Sequence, residues 1–167
     1  PLHSPLGLIA GKAVLVDATA WGLELSRYVH LNLVRTARMG LDKRARQADR
    51  LGVGGEPEAQ QVKERVRQLR NYRWSSYRAY VGLEKAAEWL TTTVVLNMGG
   101  RGTARERQAA YSKYVEDAIR QGLKESPWEH VQAQVILGGR EFMDQVRSTL
   151  AGSSREQPQR RAMSKPP

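Results

Sequence analysis

Tyr28 and Asn32 are the residues best placed to do chemistry. They stand four apart in an apolar run from Trp21 to Met39 that reads as a helix over about Ala20 to Arg38. One helical turn brings both side chains onto one face, with Trp21, Leu25 and Val29. A phenol on a rigid helix can act as a nucleophile, and an amide oxygen one turn away can ligate a hard metal ion. The same spacing also suits a half-buried core aromatic followed by a polar residue near a helix end. Burial is commoner than function, so spacing alone favours that second reading. His30 lies between the two in sequence but cannot share their face; a structural or backbone-contact role is expected for it.

A second cluster follows downstream. From Lys63 to Arg78 there are six basic residues and one acidic residue, Glu64. Tyr72, Trp74, Tyr77 and Tyr80 interleave with Arg70, Arg73 and Arg78. Aromatic rings stack on unpaired bases and guanidinium groups meet phosphates, so this composition suits single-stranded or distorted DNA. The alternative is that Trp74, Tyr77 and Tyr80 dock the segment on the core. For the arginines phosphate contact is favoured, because a solvated face usually mixes both charge signs.

The segments Arg27-Tyr28-Val29-His30-Leu31-Asn32-Leu33-Val34-Arg35 and Tyr72-Arg73-Trp74-Ser75-Ser76-Tyr77-Arg78-Ala79-Tyr80 resemble the REP-associated tyrosine transposases, single-tyrosine DNA transposases of the HUH type. The likeness runs from about Gly11 to about Gly152. The family usually has Pro where Leu33 stands here. The resemblance implies that Tyr28 attacks a DNA phosphodiester, and that Asn32 and two histidines hold a divalent cation, Mg²⁺ or Mn²⁺. Arg35, Lys63, Arg70, Arg73, Trp74, Tyr77 and Arg78 are expected to contact DNA, and the resemblance implies that this DNA is a hairpin at repeat ends. The expected activity is DNA transposition by tyrosine transesterification. The histidine pair, written His-hydrophobic-His in the family, is missing: His3, His30 and His130 are widely separated. The expectation is therefore a carboxy-terminal portion of the enzyme with an incomplete metal site, binding no cation by itself. A homodimer, or an amino-terminal half that carries the histidine pair, is the expected protein partner. A non-catalytic nucleic-acid-binding or regulatory module, for DNA or RNA, is the alternative.

Composition agrees with a polyanionic partner. The chain has 167 residues, a net charge of +10 and no cysteine, which favours nucleic acid over an acidic membrane surface and excludes disulfides and Cys-ligated zinc. No apolar run approaches the ~20 residues of a membrane span. A cytoplasmic, nucleoid-associated protein is expected.

The elements that must position these residues read as mainly α with one residual strand, a remnant of an α+β ferredoxin-like domain followed by a helical extension. Residues 1–82 form the transposase part, with a surface insertion at about 40–57; 83–150 form the extension; 151–167 are expected to be a disordered tail. Lys12 to Asp17 is the strand, with an unpaired edge on each side, and Asp17 or Thr19 caps the tyrosine helix. That helix carries a second apolar stripe, Leu23, Leu31 and Val34. Pro57 to Arg70 is a helix. Thr103 and Glu106 form a capping box opening another, which Gly122 ends. Ser126 and Pro127 open a helix ending near Leu137, and Phe142, Val146 and Leu150 mark the last. The Gly138-Gly139 junction between those two is a weak helix-turn-helix candidate, with simple packing preferred.

Overall fold

The computed structural model describes residues 13–41, 44, 47, 48, 51–53, 57–123 and 126–153. The expected strand start at Lys12, half of the insertion at 40–57, His3 and the tail beyond residue 153 lie outside them. The described chain is mainly helical with one two-stranded parallel sheet. In order it forms β1 (Leu15–Val16), α1 (Ala18–Leu31), a 3₁₀ turn (Ala37–Met39), α2 (Ala59–Asn71), α3 (Tyr77–Tyr80), α4 (Thr93–Gly99), α5 (Ala104–Arg120), a 3₁₀ turn (Pro127–His130), β2 (Ile136–Leu137) and α6 (Arg140–Ser153). None of these helices is long and apolar enough to cross a membrane.

Local sequence explains the helix starts. The Asp17 carboxylate accepts from the backbone N–H of Thr19 and of Ala20, both at 3.1 Å, and so begins α1. Such a cap satisfies donors the helix itself cannot. Thr103 and Glu106 make the reciprocal capping box at the start of α5. Beyond Arg120, Gly122 at φ +85° takes the left-handed backbone that ends the helix region, a conformation glycine adopts without steric cost. Pro57 sits just ahead of α2, whose N-cap is Glu58.

Two expected elements differ. The helix bearing Tyr28 stops at Leu31 rather than near Arg38. The chain turns over Asn32 to Val34, with the Val34 N–H bonded to the Leu31 carbonyl at 3.0 Å, which carries Val34 into the core at 0% exposure. The helix opened by Pro127 stops at His130. Ala133 and Gln134 have positive φ, 48° and 65°, and the next residues, Ile136 and Leu137, pair in parallel with Leu15 and Val16. The strand expected to stand alone thus has a partner from the far end of the chain. A β-branched run gains ladder hydrogen bonds and a buried Leu137 by leaving the helix. With residues 131–137 not helical, the Gly138-Gly139 junction is no helix-turn-helix. A Cβ on Gly138 would lie 2.4 Å from the Phe142 ring and 3.2 Å from the Asp17 Cβ, so the junction is a close approach that suits glycine.

One core holds the molecule, and residues from both sides of position 82 share it. α5 lies at its centre, touched by α1, α2, α3 and α4. Tyr111, Val115 and Ile119 of α5 meet Leu31 and Val34 after α1, Leu69 of α2 and Tyr77 of α3, all fully or almost fully buried. α1 also packs along α4, where a Cβ on Gly22 would be 3.2 Å from the Met98 sulfur. Leu69 has 0% exposure in this cluster. Leu69→Ala is expected to cost ~2–5 kcal/mol, the range for emptying a buried leucine site. Equilibrium denaturation measures it; a loss under about 1 kcal/mol would show that α2 is not anchored through this residue.

Candidate nucleic-acid interface

Tyr28 lies half-buried one turn before the end of α1. Its ring meets Trp128 edge-on at a centroid distance of 5.4 Å. The Arg35 guanidinium stacks over the same ring at 4.2 Å, reaching back across the turn that follows α1. Asn32 caps α1: its N–H bonds to the Tyr28 carbonyl at 3.1 Å and its side chain is exposed. Sequence spacing showed neither Trp128 nor the place of Arg35, because both contacts depend on chain reversals.

His30 points the other way and is 4% exposed. Its Nδ1 lies 2.8 Å from the Tyr111 hydroxyl and its Nε2 2.9 Å from the Ser76 hydroxyl. The Tyr111 hydroxyl is also 2.6 Å from the Ser26 hydroxyl. The rings of Tyr77, Tyr80 and Tyr111 surround the imidazole at 5.0–5.8 Å. The role is structural: three elements meet on one ring. Burial lowers the His30 pKa to about 4. The same burial pushes the Tyr111 and Tyr77 hydroxyls up.

No divalent-cation site gathers around Asn32 from these residues. Both nitrogens of His30 are engaged in the core, and His130 stacks on Trp21 at 5.0 Å. Among the described residues no three His, Cys, Asp or Glu side chains come together to hold a metal ion. The ligand set the resemblance implies is not assembled by them.

The basic aromatic segment divides in two. Tyr77 and Tyr80 dock on the core, at 0% and 8% exposure. Tyr77 is therefore a core residue rather than a stacking platform, as a ring without free faces cannot take a base. Its hydroxyl donates to Glu116 at 3.0 Å. Arg70 pairs with the same carboxylate at 2.7 Å, and Ser112 donates to it at 3.2 Å. Glu116 is itself only 3% exposed, a buried carboxylate made tolerable by these donors. Arg78 pairs with Glu84 at 2.8 Å and donates to the Arg70 carbonyl at 2.6 Å. Thus two of the arginines expected on phosphates are tied to the protein's own acceptors. Helical spacing sets Glu116 off the stripe of Tyr111, Val115 and Ile119, so nothing in the local sequence signals its burial.

Residues 72–74 do the opposite. Trp74 is 76% exposed and Tyr72 39% exposed. The Arg73 guanidinium stacks on the Trp74 ring at 4.7 Å from its centroid. Lys63, two turns before the end of α2, is exposed as well. The tip of the loop between α2 and α3 thus offers an aromatic face beside a cation.

Comparison with models of known families finds no match, and no curated protein or solved structure is significantly similar to the chain.

The buried histidine makes stability depend on pH. Its folded-state pKa of about 4 is below the ordinary histidine value of 6.5. The unfolded chain therefore binds the proton first as pH falls, and stability present above pH ~6.5 is lost toward pH ~4. Between pH 7 and 5 His30 is expected to account for a loss of about 2 kcal/mol, by linkage. Denaturation series for the wild type and His30→Gln check this. Equal slopes in the two proteins over that interval would remove His30 as the cause.

Proposed function

We propose that this protein is a transposase-derived nucleic-acid-binding protein that engages unpaired or hairpin DNA. The observation that carries the reading is Trp74, 76% exposed with the Arg73 guanidinium on its ring, at the end of a basic helix in a chain of net charge +10. An exposed tryptophan has no packing reason to be there, whereas base stacking on such a ring contributes ~1–3 kcal/mol. The cation beside it meets the phosphate of the stacked nucleotide. The resemblance of the Tyr28 and Tyr72–Tyr80 segments to REP-associated tyrosine transposases supports DNA as the polymer. A cytoplasmic, nucleoid-associated location belongs to the same reading.

Binding is the activity proposed, and the chemistry of Tyr28 is not required for it. The phenol lies between Arg35 and Trp128, and Asn32 alone is a weak ligand for Mg²⁺, which gives up its waters reluctantly. Incubation with labelled hairpin DNA and Mn²⁺ is expected to give no protease-sensitive adduct on a denaturing gel. An adduct that disappears in Tyr28→Phe would establish the transesterase instead.

Affinity for a DNA hairpin is expected to fall steeply with salt, as Arg73 and the net charge of +10 release condensed counterions. Trp74→Ala should weaken binding by ~1–3 kcal/mol while leaving the melting temperature almost unchanged, because the ring fills no core site. Fluorescence anisotropy across a salt series, with a thermal melt of each variant, makes the measurement. A flat salt response, or wild-type affinity in Trp74→Ala, would defeat the reading.

A further inference from the structure

A groove of about 630 Å³ runs along α2 beside the end of α5. Its floor is apolar, formed by Ala59, Val62 and Val66, and Asn71 closes the end nearest the 72–74 loop. Lys63, Arg67 and Arg70 rise from one face of α2 at i, i+4 and i+7, and Arg120 reaches over from the end of α5. Three of these cations have acidic neighbours: Arg67 with Glu64, Arg70 with Glu116, and Arg120 with Asp117 and Glu116. Their side chains stay 68%, 49% and 50% exposed, while Glu116 is sunk to 5% beneath them. The acids hold the guanidinium groups in place while about half or more of each side chain stays exposed at the groove. An apolar floor under fixed cations fits a molecule with a flat hydrophobic body and an attached anion. The volume lies within the ~300–1,000 Å³ of small-ligand clefts, and a nucleotide has that build.

We infer that this groove is a nucleotide subsite, in which a base of a single-stranded nucleic acid lies on Val62 and Val66 and its phosphate meets Arg67 and Arg120. The inference rests on the nucleic-acid-binding reading above and extends it: Arg70 and Asn71 join the groove directly to Tyr72, Arg73 and Trp74, so one strand can run from the groove to the exposed tryptophan. A duplex keeps its bases paired and stacked, and cannot lay one on the floor. The partner is therefore a single strand, of DNA or RNA.

The test is the affinity of the full chain for a short oligothymidylate, its oligouridylate counterpart and a blunt duplex of mixed sequence. Trp74→Ala tests the parent reading, and the Arg67→Ala/Arg120→Gln double variant tests the groove. Lys63→Gln serves as a second groove variant, since Lys63 is exposed and its replacement leaves folding alone. The groove variants are expected to bind the single strand tenfold or more weakly, with the salt slope reduced by ~0.7 for each phosphate that is no longer neutralised. The duplex is expected to compete poorly, and the ratio of the two single strands tells DNA from RNA. If Trp74→Ala loses affinity while the double variant and Lys63→Gln bind with wild-type affinity and slope, the groove inference is overturned and the parent reading stands. If Trp74→Ala also binds as wild type, both fall. Duplex binding equal to single-strand binding overturns the inference, as does displacement of the oligonucleotide by an acidic amphipathic helix at lower concentration.

Discussion

A buried imidazole with both nitrogens engaged sets the geometry of this molecule. A neutral histidine has one donor and one acceptor, and each must find a partner once water is excluded. Here the partners are the hydroxyls of Tyr111 and Ser76, groups that can donate or accept and so suit either tautomer. They belong to α5 and to the loop leading into α3, so satisfying one ring at the end of α1 joins three elements. The rings of Tyr77, Tyr80 and Tyr111 then close around it. With His30 held inward, Leu31 and Val34 follow it into the core, and Tyr28 on the other flank is left to Trp128 and Arg35.

The Glu116 carboxylate is a second buried polar centre, next to the first in α5, and it decides how the arginines are divided. It takes Arg70, Tyr77 and Ser112 as donors. Arg78 is turned toward Glu84 and the Arg70 carbonyl. Arg73 stands on Trp74, whose ring is free to solvent. A stretch that reads as one basic surface is thus partly scaffold and partly exposed to solvent. The scaffold half also fixes the outer half in position: the pairing of Arg70 with Glu116 holds the end of α2, from which the 72–74 loop departs.

Much of the fold was legible along the chain. The mainly helical class, the Asp17 cap, the capping box of Thr103 and Glu106, and the last helix through Phe142 and Val146 follow from local rules. Those rules act within one or two turns, where neighbouring residues decide whether backbone donors are satisfied. The helix boundary near Arg38 was not legible, because burial of Val34 outweighs helical continuation there. Nor was β2: residues 131–137 are as compatible with a short helix, and pairing with Leu15 and Val16 tips the balance.

For the candidate site the division is similar. The residue types were set by the sequence itself: an arginine-rich aromatic stretch, a tyrosine and asparagine one turn apart, and a net positive charge. Which side of the fold each side chain faces was decided in three dimensions. Nothing in the order Tyr72-Arg73-Trp74-Ser75-Ser76-Tyr77 says that Trp74 is free and Tyr77 buried; that depends on Glu116 lying opposite Tyr77 in α5. Likewise, only folding brings Arg120 alongside Lys63 and Arg67 over one apolar floor. Charge and local hydrogen bonding are properties of the chain, whereas burial arises between segments far apart in it, and burial separates the core aromatic residues from those left exposed.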